Sequence, residues 1–142
     1  MPDYDADFYG WANEQAALLR AGRLNDADIA NIAEEIESMG RSEKRELVSR
    51  LAVLLQHLLK WQLQPGLRGP SWRLTIDEQR DLLRLHLRDN PSLKPKLLDA
   101  YSDAYRLGAR SAQRETGLAG PTIPDTSPWP IETALNEEFY PE

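Results

Sequence analysis

The 142-residue chain contains no cysteine, which rules out a disulfide framework, a thiolate metal site and a thiol nucleophile. Long apolar runs are also missing. The longest, Leu51 to Leu59, is interrupted by Gln56 and His57, and a membrane span needs about 20 apolar residues. The first residues, MPDYDADFYG, are acidic and have neither a basic n-region nor an apolar h-region, so no signal peptide is expected. No phosphate-cradling glycine loop, Gly-x-Ser-x-Gly elbow or His-Glu-x-x-His helix occurs, which counts against the commonest enzyme classes of this size. No internal repeat or low-complexity tract is evident. These absences lead to the expectation of a cytoplasmic protein with no membrane association and no cofactor.

What is present is helical periodicity. Phe8, Trp11, Ala12, Gln15, Leu18 and Leu19 recur at steps of three and four, predicting a first helix over 5–21 that Gly22 closes. Asn25 or Asp26 is the expected cap of a long second helix, 26–63. Its apolar positions Ile29, Ile32, Ile36 and Met39 stay in phase with Leu47, Leu51, Leu54, Leu58 and Trp61 through Gly40. The rival arrangement is a break or kink at Gly40, where glycine costs about 1 kcal/mol relative to alanine. Pro65, Gly66, Gly69 and Pro70 mark a turn. Ser71 is then expected to cap a helix over 72–89, stopped by Asn90-Pro91, and Ser92 a helix over 93–116 closed by Gly117. Residues 118–142 are rich in proline, yet Ile123, Trp129, Ile131, Leu135 and Phe139 are too many large apolar groups for a disordered tail. A docked tail with a short last helix is expected. The fold class that follows is all-α: a single domain of four main helices, one long and central, with a proline-rich tail.

Several motifs carry a resemblance. AEEIESMGRSE, HLLKWQ, QP, SWRLTI and DNPSLK, in this order, resemble the bacterial family called domain of unknown function 29, over nearly the whole chain from YDADFYGWANEQAALLRAG to FYPE. The resemblance implies a helical fold and a bacterial intracellular setting. It implies no activity, cofactor or catalytic residue.

Charge is segregated. Residues 1–40 hold nine acids and two bases, residues 41–114 fifteen bases and eight acids, and residues 115–142 six acids and no base. Such a layout can draw segments together within a chain or between subunits, and several acids also suit helix first turns.

Candidate sites follow from helix geometry. Pairing Trp61 with Trp72 across the turn sets His57 opposite Ile76 and His86 opposite Leu47. The two histidines are then about 15 Å apart along the axis and cannot share a metal. Glu34, Glu35 and Glu37 lie about 30 Å from His57 on a continuous helix. No metal site is expected. His57, Lys60, Trp61, Gln64, Trp72 and Arg80 gather at the turn end. They read either as a structural corner or as a shallow ligand site, with His57 the one plausible general base. Arg80, Arg84 and Arg88, and likewise Arg106, Arg110 and Arg114, form stripes that could meet nucleic-acid phosphates. Interleaved Asp77, Asp81, Asp99 and Asp103 and the net charge of −6 argue against that. The leading expectation comes from a shortage of partners. The helix over 72–89 covers the long helix only back to about Lys44. Phe8, Trp11, Leu18, Ile29, Ile32, Ile36 and Met39 therefore need shielding by a second subunit, the tail or another protein. A non-catalytic interaction module, self-associating through this hairpin, is the expected function.

Overall fold

The computed structural model describes all 142 residues, and every regular element is helical. The α-helices are α1 (Phe8–Arg20), α2 (Ile29–Leu63), α3 (Pro70–Asp89), α4 (Leu97–Thr116) and α5 (Ile131–Leu135), joined by short 3-10 turns. The fold is all-α. No helix is long and apolar enough to cross a membrane. The chain divides into two compact units, Met1–Ser42 and Glu43–Glu142, and α2 contributes to both, running without interruption through Gly40.

In the first unit, α1 starts at Phe8 rather than near residue 5, because the Asp7 carboxylate accepts from the Gly10 amide and caps the helix there. Gly22, at φ +73°, follows the end of α1 in the left-handed region that glycine tolerates best. α2 begins after Asp28, not at Asn25 or Asp26, which lie in a 3-10 turn. Asp28 joins the two helices. Its carboxylate accepts from Trp11 Nε1 (3.0 Å) and Asn31 Nδ2 (2.7 Å), and its amide donates to Gln15 Oε1 (2.7 Å). Those donors, Asn31 first, hold the Asp28 carboxyl below the usual range. Tyr4 packs edge-on against Trp11 at 4.7 Å and donates to Glu35.

The second unit is built around the rest of α2. Leu47, Leu51, Leu54, Leu55, Leu58 and Leu59 are completely buried. The apolar stripe is wider than the single line through Leu47, Leu51, Leu54 and Leu58, since Leu55 and Leu59 are enclosed as well. At Gly108 the approach of α4 is close enough that a Cβ would stand 2.6 Å from the Ala52 carbonyl oxygen. α3 begins at Pro70 with Gly69 as its cap, so Ser71 lies inside the first turn. Proline at N1 explains the earlier start, since its missing N–H would be unpaired there anyway. Residues 91–96 form a 3-10 segment rather than the first turns of α4. Gly117 ends α4 at φ +69°.

The tail is docked. Ile123, Trp129, Ile131 and Ala134 are buried in the core of this unit. A proline-rich coil has carbonyls with no helical or sheet partner, and side chains of the bundle supply the donors. Arg80, 3% exposed, donates to the carbonyls of Ala134 (3.0 Å), Glu137 (3.5 Å) and Phe139 (2.7 Å). Tyr101 donates to Trp129 O (2.9 Å), and Tyr105 to Pro124 O (2.6 Å). Burial pushes the Tyr105 hydroxyl up to about 12, so it remains a donor across the physiological range.

Candidate functional site

The turn-end cluster is only partly assembled. Lys60 is buried, pairs with Glu115 at 2.6 Å and lies 4.8 Å from the centre of the Trp72 ring. His57 sits beside this pair with its Nδ1 2.8 Å from the Val53 carbonyl, one helical turn back. Since a carbonyl only accepts, Nδ1 carries the proton. Burial lowers the His57 pKa, leaving the imidazole neutral at pH 7. Trp61 turns to Tyr140, with ring centres 5.0 Å apart, and its carbonyl accepts from Arg68 (2.6 Å). Gln64 is half-buried, and its carbonyl accepts from the Leu67 amide in the turn. Arg80 has its guanidinium nitrogens committed to the tail. Of the two cations in the expected ligand site, Lys60 is matched by a carboxylate and Arg80 by three carbonyls. These contacts tie the turn end to α4 and to the tail, and His57 Nε2 is the basic nitrogen they leave over.

The arginine stripes are also largely engaged. Arg80 is buried, Arg84 pairs with Asp81 and Glu137, Arg88 with Asp89 and Arg106 with Asp103. Such surface pairs contribute about 0–1 kcal/mol each. They engage the α3 stripe, whereas Arg110 and Arg114 of the α4 stripe are exposed.

The first unit is different. Of the residues expected at an interface, Trp11 is buried, Leu18 and Ile32 are half-buried, and Phe8 (50%), Ile29 (54%), Ile36 (59%) and Met39 (62%) are exposed. Between α1 and α2 runs an open groove of about 260 Å³. Its walls include Phe8, Trp11, Leu19, Ile32, Ile36 and Met39, with Gln15 and Glu35 as polar members. Leu19 lines it and Leu18 does not. Helical spacing alone does not separate these neighbours, because both lie near the edge of the apolar arc. The acids at the groove are occupied locally: Glu35 by Tyr4, and Glu34 and Glu37 by Arg41.

The family model for the domain of unknown function DUF29 matches residues 4–140. The chain belongs to the DUF29 family. No curated protein and no solved structure matches it. Within this DUF29 protein the match takes in both the exposed hairpin and the docked tail.

Proposed function

We propose that this DUF29 chain is a non-catalytic assembly module that self-associates through the α1–α2 hairpin of Met1–Ser42. The observation that carries the proposal is the run of exposed apolar side chains, Phe8, Leu19, Ile29, Ile36 and Met39, on a hairpin that buries only Trp11 and Gln15 within Met1–Ser42. Two helices cannot enclose a core, whereas two copies of a hairpin supply the four that a bundle requires. A second copy is the occupant because it offers the same apolar face in a self-complementary arrangement. The proposal includes a cytoplasmic, bacterial setting, supported by the family resemblance.

Like charge opposes this pairing, as residues 1–40 carry nine acids against two bases. Self-association is therefore expected to strengthen as salt rises, whereas docking of a basic partner would weaken. Sedimentation equilibrium of the full chain tests this. The expected result is a dimer at micromolar concentration that tightens with salt and becomes monomeric in Ile36→Glu/Met39→Glu. A wild-type monomer at tens of micromolar in both low and high salt overturns the proposal.

A further inference from the structure

His86, in the last turn of α3, is 8% exposed and faces three oxygens from α2. Its Nδ1 lies 2.7 Å from Glu46 Oε2, and its Nε2 lies 2.8 Å from the Glu43 carbonyl and 3.6 Å from Glu43 Oε2. A neutral imidazole has one N–H. Both ring nitrogens face acceptors, so one contact sets lone pair against lone pair unless a cation lies between them. A second ring proton is one such cation, and a metal ion is the other.

We propose that His86, Glu43 and Glu46 form a binding site for one divalent transition-metal ion of the zinc type. One ligand atom from each residue can be chosen so that all three lie within 4.8 Å of one another. Ligands about 2.1 Å from a shared ion stand roughly 3–4 Å apart; Glu46 Oε2 already faces Nδ1, whereas the half-exposed Glu43 side chain, now nearest Nε2, has to rotate to reach the ion. The backbone carbonyl of Glu43 is a fixed acceptor. It holds the proton on Nε2, as the partner of a metal-bound imidazole commonly does, and leaves Nδ1 for the ion.

The surroundings favour a cation. The site lies at the C-terminal end of α3, where the helix dipole is negative. Arg50 engages Glu46 through the other carboxylate oxygen, Oε1, at 3.2 Å, leaving Oε2 to face the ring. Glu43 and Glu46 are 50% and 43% exposed, so the ion enters from solvent and water completes its shell. One nitrogen and two carboxylate ligands suit zinc or its neighbours better than magnesium or calcium, which take oxygen ligands.

The glutamates are three residues apart on α2, and His86 reaches them from the neighbouring helix. A search for a histidine and a glutamate on one helix therefore passes over the cluster. The proposal is independent of self-association, because all three residues belong to Glu43–Glu142.

The test is titration of chelator-treated full-length protein with Zn²⁺, followed by calorimetry and by the ring-nitrogen NMR signals of His57 and His86. One equivalent should bind at micromolar concentration, moving the His86 Nδ1 signal and not that of His57. Glu43→Gln, at a half-exposed position that leaves the fold intact, and Glu46→Gln should each weaken binding by about tenfold or more. An unmoved His86 signal at stoichiometric Zn²⁺, or Glu43→Gln binding as the parent does, overturns the site. Binding seen only at millimolar Zn²⁺ overturns it equally.

Discussion

The two units solve the problem of covering a helix face in opposite ways. In Glu43–Glu142, α2 is enclosed by α3, α4 and a coil that brings its own apolar groups, leaving eight large side chains with essentially no exposure. In Met1–Ser42, the same helix packs with α1 and the Tyr4 segment before it. The hairpin is fastened by hydrogen bonds at Asp28 and by the Tyr4, Phe8 and Trp11 rings rather than by a core. Full burial of a leucine contributes about 1.5–3 kcal/mol, so stability resides in the second unit. The first unit spends its apolar residues on its surface. Where one helix is both enclosed and bare, the bare part is the better candidate for an interface.

Paired truncations sharpen this contrast most. Leu54→Ala removes a fully buried side chain and should destabilise by about 2–5 kcal/mol. Ile36→Ala, at a residue 59% exposed in the single chain, should change monomer stability by no more than about 0.5 kcal/mol. Urea unfolding at a concentration low enough to keep the chain monomeric measures both. Equal losses would mean that the hairpin has a core of its own.

The next largest effect concerns the tail. Arg80→Leu leaves the carbonyls of Ala134, Glu137 and Phe139 without their charged donor, and hydrogen bonds to charged groups contribute about 1.5–3 kcal/mol. A loss of about 2–3 kcal/mol is expected, together with faster proteolytic cleavage within residues 118–142. Arg80→Lys should not restore the parent behaviour, because an ammonium cannot reproduce the planar fork. Unchanged stability and cleavage in Arg80→Leu would show that apolar contacts alone hold the tail.

How much of this was legible beforehand follows physical lines. The apolar phase from Ile29 to Leu58 carries through Gly40, and so does α2, because periodicity is a local property. Nothing lies within 4 Å of the position a Cβ would take at Gly40, so no neighbour requires glycine there. Helix starts were less legible. Asp7, Asp28 and Gly69 competed with several equally good capping residues nearby, and only tertiary contacts such as Trp11 to Asp28 separate them. The tail read as docked from its composition, whereas its manner of docking did not. Arg80 looked like one end of a solvent-facing stripe, yet three of its nitrogens turn to carbonyls more than fifty residues away. Leu55 and Leu59 were missed because a stripe drawn for one neighbour undercounts a helix with neighbours on several sides. Setting His86 opposite Leu47 stopped one residue short of Glu46, and that single step concealed the cluster with Glu43.

The smallest expected effect is in pH dependence, and it too distinguishes the two units. The hydrogen bond from Lys60 holds the Glu115 carboxyl below its ordinary 4.5, with burial opposing and the Lys60 charge assisting. A group whose folded pKa is depressed contributes stability that is complete above the unfolded value and disappears as pH falls through the folded one. The second unit should therefore lose this contribution below about pH 4.5, with Lys60 left buried and unpaired. Glu115→Gln should flatten the acid limb of a thermal-unfolding series and leave the region above pH 6 parallel to the parent. Because Glu115 is half-exposed, solvent screens the pair and the difference is small. The control lies in the hairpin. Asp28 is likewise depressed, by hydrogen bonds from Asn31 and Trp11, so Asp28→Asn should alter acid sensitivity in the Trp11 fluorescence of the first unit and not in the global transition. If both variants change the same transition by the same amount, the units unfold as one, and the division between an enclosed bundle and a bare hairpin does not extend to their energetics.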